Sequence, residues 1–193
     1  MCPDKDALYW QLNAELREFY RRNFWFWRHF TAGTLVSQRR REAVDLSELG
    51  KDVAIELIRL QGFQAHRTVP NCAFDLWVTR DGQQAARVEV KTSLCLENKG
   101  RFRYQANIRA HQRKDTDVVI FLAKNDGWWP YIIPISAIGQ RSNIAIWSVH
   151  PGDYGGQWSP YLGAWSHLHA AVSNTASRVW QFSLTVPTGG RVC

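Results

Sequence analysis

The sequence predicts an α/β fold in which a helix feeds a run of β-strands, with a helical arm before this core and an aromatic-rich extension after it. Three observations carry that reading. Leu46, Leu49, Val53, Leu57 and Leu60 recur at helical spacing, and Gly62 closes the series. Phe63–Val69 then reads as a strand ending at Pro70. Ala73–Thr79 and Ala86–Thr92 alternate apolar and polar residues on either side of Asp81-Gly82, the strongest short-range hairpin signal.

Taken in order, residues 1–45 form the arm. Leu8, Leu12, Leu16 and Phe19 predict a helix within residues 4–30, interspersed with Arg17, Arg21 and Arg22, and Arg39–Arg41 read as a polar link. Such an aromatic helix packs on its own core or serves as a DNA-facing or dimer-forming arm. Its basic residues are too interrupted by apolar ones for a membrane-surface helix. Residues 46–138 form the core and 139–193 an extension packed on it. In the extension, His150–Pro160 is a turn-rich loop, and Tyr154, Trp158 and Trp165 either stack on bases or staple the loop to the core. Ser177–Val186 alternates as a late strand would, with Ile144–Val149 as its candidate partner. His167 and His169 read as structural or surface residues, since no further ligand candidates stand near them.

The hairpin carries the chemistry. Side chains alternate faces along a strand, so Phe74, Leu76 and Val78 oppose Asp75 and Trp77, while Val88 and Val90 oppose Glu89 and Lys91. Pairing the strands brings Asp75 toward Glu89. Two carboxylates, a backbone carbonyl such as that of Val90 and several waters suit Mg²⁺, with Mn²⁺ as a substitute, because Mg²⁺ keeps much of its hydration and takes few protein ligands. Lys91 is then positioned to orient or deprotonate an attacking water and to offset charge on phosphorus. The plain alternative is a strand-end carboxylate and an ion pair on a solvated strand face. A bare Glu-x-Lys has no weight alone, since Glu97-Asn98-Lys99 repeats it in a polar stretch before Gly100.

With Gly50, the apolar helix, Gly62-Phe63, Phe-Asp-Leu-Trp-Val at 74–78 and Val-Glu-Val-Lys-Thr at 88–92, the stretch from about 46 to 135 resembles the PD-(D/E)XK nuclease superfamily. That resemblance implies a restriction-endonuclease-like mixed sheet flanked by helices, with Arg101–Ile108, Asp117–Leu122 and Tyr131–Ile135 as its later strands. It implies Asp75 and Glu89 as the two motif acids, Lys91 as the motif lysine, and a Mg²⁺-dependent DNA endonuclease of restriction, homing or structure-selective type. Many members carry a glutamate in the first helix where Lys51 stands here. Glu48 is the substitute metal ligand and Asp52 the next candidate. This departure keeps open a DNA-binding protein of the same fold that is weakly active or inactive, and a protein-interaction role for the fold is a third reading.

The composition agrees with a polyanionic partner without requiring one. The 193 residues are 45% apolar with net charge +7 and pI near 9.5, enough for one domain with a substantial core. Lys99, Arg101, Arg103, Arg109, Arg113 and Lys114 fall within sixteen residues, together with Gln105 and His111 and without an acid. They are candidate DNA contacts, chiefly to phosphate, or else a charged edge protecting a strand. A palindromic or junction substrate calls for a homodimer, since one site cuts one strand at a time. Cys2, Cys72, Cys95 and Cys193 are scattered as free thiols would be, the start is unlike a signal peptide, and no run approaches the ~20 apolar residues that span a bilayer. These point to a cytoplasmic protein with no membrane partner.

Overall fold

A computed structural model describes residues 35–80, 84–125 and 127–179. The predicted arm helix at residues 4–30 and the Asp81-Gly82 turn lie outside them. Helix α1 spans Leu35–Leu60. It therefore includes Arg39–Arg41, which are helical instead of the expected polar link. Its apolar stripe is Val53, Ala54, Leu57 and Ile58, all at 1% exposure or less. Gly62, at φ 80°, takes the left-handed conformation that ends the helix cheaply and turns the chain into the sheet.

The main sheet has five strands, β1 (Gln64–Arg67), β2 (Leu76–Arg80), β3 (Gln84–Leu94), β6 (Val118–Lys124) and β7 (Trp128–Pro134), in the order β1-β2-β3-β6-β7. It is mixed: β3 and β6 run parallel, with Val90 opposite Ile120, and the other neighbours are antiparallel. The 11-residue β3 breaks at Cys95 and continues as β4 (Leu96–Asn98) into a second antiparallel sheet, β4-β5-β8, where β5 is Arg101–Asn107 and β8 is Asn143–Ile146. Lys99 and Gly100, with φ of 52° and 72°, make the two-residue turn between β4 and β5. The second Glu-x-Lys is thus the end of a hairpin in the small sheet.

Two apolar cores flank the main sheet. On one face α1 and α4 (Ser166–Val179) pack on Val88, Val90, Val118, Ile120 and Leu122. On the other, Val119, Phe121 and Ala123 meet Tyr104, Ala106, Ile144 and Ile146 of the small sheet. Burial of β6 on both faces explains its unbroken apolar run. Two short helices, α2 (Ala110–Asp115) and α3 (Ile135–Ile138), complete the layer on that side.

The expected late strand at Ser177–Val186 is corrected here, because Ser177–Val179 belong to α4 and residues 180–186 lie outside the described residues. β8 pairs with β5 instead. Trp158 and Trp165 are buried, at 2% and 5% exposure, so both staple the extension to the core and neither is open to a base. His169 packs on the Phe63 ring at 4.5 Å and His167 on Tyr161 at 5.2 Å.

Candidate active site

The site forms beside the start of β2, where β3 runs on past it. The register pairs Leu76 with Val88 as the first step of the ladder, so Asp75 sits just outside β2 and beside Glu89. Its backbone is fixed on both sides: its N–H donates to the Val88 carbonyl at 3.0 Å, and its carbonyl accepts from the Thr68 N–H at 3.0 Å. The Asp75 carboxylate accepts the Val90 N–H on Oδ2 at 3.0 Å and pairs through Oδ1 with Lys51 Nζ at 3.1 Å. A strand residue points its N–H and C=O to the same side. The Val90 carbonyl is therefore directed to the edge that Asp75 occupies.

Glu89 is 3% exposed. Lys91 Nζ lies 2.6 Å from its Oε1, and the Gln112 side-chain amide donates to the same oxygen. Burial, and then the charge of Asp75, push the Glu89 carboxyl up to about 7, against the pull of Lys91 and Lys51. Gln112 is held in turn by accepting the Arg109 N–H at 2.9 Å. Asp75, Glu89, Val90, Lys91, Arg109 and Gln112 all line one cleft of ≈ 480 Å³.

The structure thus gathers Asp75, Glu89, Val90 and Lys91, and does not bring Glu48 to them directly. Glu48 is bound by Lys51 Nζ at 2.8 Å and by the Arg67 guanidinium, which also holds Asp52 at 2.5 Å. Both helix acids are thereby committed to Arg67; from α1, Lys51 reaches Asp75 and Ser47 lines the cleft. Among the described residues no three His, Cys, Asp or Glu side chains cluster as metal ligands. The donor set of Asp75, Glu89 and the Val90 carbonyl fits one hard divalent ion that keeps several waters. Two carboxylates pressed together, one of them buried, are also the arrangement such an ion relieves.

Of the basic segment, Arg101, Arg109, His111 and Lys114 are exposed, with Arg109 at the cleft. Arg103 lies over the Trp147 ring, 5.3 Å from its centroid. Arg113 is spent on the fold, donating to the carbonyls of Ile108 and Arg141 at 3.0 and 3.1 Å. Sequence reasoning missed Gln112 and Arg67. A glutamine at the third position of a short helix is a capping pattern, so Gln112 had a readable signal, whereas Arg67 had none.

The architecture is a mixed α/β fold, a five-stranded mixed sheet flanked by helices, and it is shared with a nuclease of known structure. That neighbour is a bacterial homing endonuclease, I-Ssp6803I, similar with a TM-score of 0.52 and 18% identity over 70% of this chain and 96% of that one. At this identity the likeness establishes the fold. No protein-family model and no curated protein matches the chain.

Proposed function

We propose that the chain is a Mg²⁺-dependent DNA endonuclease of the PD-(D/E)XK kind. The observation that carries this reading is the buried Glu89 beside Asp75, with Lys91 on Glu89, in a polar cleft at the start of β2. The likeness to a homing endonuclease supports it at the level of fold.

In this reading Asp75, Glu89 and the Val90 carbonyl hold the ion, which when bound supplies Lewis-acid stabilisation of the phosphoryl oxygens and a more acidic water. Mn²⁺ is the expected substitute. Gln112 and Lys91 hold the Glu89 carboxylate in place. Lys91 also brings a positive charge to the side from which water attacks phosphorus, where negative charge grows on the non-bridging oxygens. Arg109 at the cleft mouth contacts a flanking phosphate. One centre hydrolyses one strand, so double-strand cutting requires two copies of the chain.

A specific observation favours a second reading. Lys51 neutralises Asp75 from the position where the family resemblance expects a glutamate, which suits a DNA-binding protein of this fold without useful catalysis. Plasmid nicking separates the two. The first reading expects nicking in Mg²⁺, none in EDTA, and a loss of at least about a hundredfold in Asp75→Asn and Glu89→Gln with DNA binding in Ca²⁺ retained. Binding without Mg²⁺-dependent nicking supports the second, and undiminished nicking by either variant removes these residues from the centre.

A further inference from the structure

We infer that the outward face of the small sheet reads base edges in the major groove of duplex DNA, an assignment that rests on DNA being the partner. Along β5, Tyr104 and Ala106 point into the core at 0% and 9% exposure, so Arg101, Arg103, Gln105 and Asn107 share the opposite face. These are the side chains that make two-point contacts to bases: arginine to guanine O6 and N7, glutamine and asparagine to adenine N6 and N7. An amide can donate to a phosphate oxygen, but a base edge such as adenine N6 and N7 uses its donor and its acceptor together.

The spacing matches the ligand. Residues two apart on an antiparallel strand stand about 6.8 Å apart, twice the roughly 3.4 Å step between base pairs. Successive outward side chains therefore meet alternate base pairs. β4 pairs with Arg101–Arg103 and β8 with Tyr104–Asn107, so β5 has one of these partners at each level, and two strands about 4.8 Å apart are the ribbon that the roughly 12 Å major groove admits.

The flanking strands supply the apolar part. Leu96 pairs with Arg103, and Trp147, one step beyond the Tyr104–Ile146 pair, carries the Arg103 guanidinium on its ring. Leu96 and Trp147 are about half exposed, at 49% and 50%. Apolar groups so placed beside arginine and amide side chains suit the thymine methyl, which the major groove displays. Glu97, the acid of β4, pairs with Phe102 and so alternates to the other side. The row also leads to the site of cleavage, since Asn107 and Arg109 line the cleft that holds Glu89. From Arg103 to Asn107 is about 14 Å, or four base steps. Division of labour follows: β5 reads bases, and exposed Arg109, His111 and Lys114 beside it hold phosphates.

The test uses the full chain in Ca²⁺ and selects from duplexes randomised across the binding site. Wild type is expected to enrich a defined sequence. Arg103→Lys keeps the charge and the aliphatic stem but loses the planar fork, and Gln105→Ala removes the amide. Each is expected to relax discrimination about five- to a hundredfold at one base pair, the two positions two steps apart, with the salt dependence of Arg103→Lys unchanged. Enrichment of the same sequence to the same degree by both variants overturns the inference, as does wild-type cleavage in Mg²⁺ without any sequence preference. A selected sequence that Mg²⁺ does not cleave overturns the endonuclease reading and leaves this one standing.

Discussion

Glu89 is a carboxylate enclosed by protein, and its charged form is disfavoured first by burial and then by Asp75. Its folded pKa of about 7 stands above the ordinary 4.5, so between those values the folded chain holds a proton that the unfolded chain has released. The stability this contributes is full below the lower value and is lost as pH rises through the upper one. Denaturant titrations of the metal-free chain are therefore expected to show stability falling over that window by about 3 kcal/mol. Glu89→Gln is expected to flatten the profile, and a variant with the wild-type slope contradicts the assignment. Lys51 gives the second residue-scale prediction. Its ammonium neutralises the oxygen of Asp75 that does not accept the Val90 N–H, so it competes with a bound cation. Lys51→Met is expected to raise Mn²⁺ affinity by at least about tenfold in calorimetry, and equal affinities contradict the competition. Asp75, Glu89 and Lys91 were legible as neighbours because a strand's two-residue period and the Asp81-Gly82 turn signal bring them together, while only the family resemblance favoured their catalytic roles over a plain ion pair. The fate of Glu48 was not, since it depends on Arg67 arriving from a different element.

β3 organises the elements by changing partners along its length, antiparallel with β2 up to Val88 and parallel with β6 throughout its second half. The short β2 leaves the edge from Glu89 onward open, and that gap is the cleft. Helix α1 approaches this stretch closely at Gly50, where an added Cβ would stand 1.8 Å from Thr92 Oγ1 and 3.0 Å from its Cβ. Alanine is the better helix former by about 1 kcal/mol, yet the contact is with a branched side chain on the central strand, and overpacking there costs about 1–3 kcal/mol. Gly50→Ala is thus expected to destabilise the chain in thermal melts and to weaken Mn²⁺ binding as Lys51 and Asp75 shift; unchanged stability contradicts the close packing. The core of α1 and the β2–β3 hairpin were readable from local periodicity. Helix α4 was obscured because Ser177–Val186 also alternates like a strand, although Trp165, Leu168 and Val172, all buried, carry helical spacing. The pairing of β8 with β5 joins segments far apart in sequence, and no local pattern specifies it.

At the scale of the molecule, the main sheet separates a helical layer from a second sheet, and the carboxylates and the basic segment meet where those layers part. The sequence conveyed the α/β class and the juxtaposition of Asp75, Glu89 and Lys91, because both follow from short-range periodicity and turn chemistry. It did not convey the third layer, which is built from long-range pairing, nor the sorting of the basic residues. Arg113 holds carbonyls, Arg103 lies on Trp147 and Arg109 faces the cleft, and only their tertiary surroundings distinguish them. Among the described residues no helix is long and apolar enough to cross a membrane.

A crystal structure of the full chain grown with Mn²⁺, read by anomalous scattering at the manganese edge, tests whether Asp75 and Glu89 together hold a catalytic divalent ion. One strong peak is expected in the cleft, bound by oxygens of Asp75 and Glu89 and by the Val90 carbonyl at about 2.0–2.2 Å, with Lys51 turned away from Asp75 toward Glu48. A cleft without a manganese peak, with Lys51 still paired to Asp75, contradicts it.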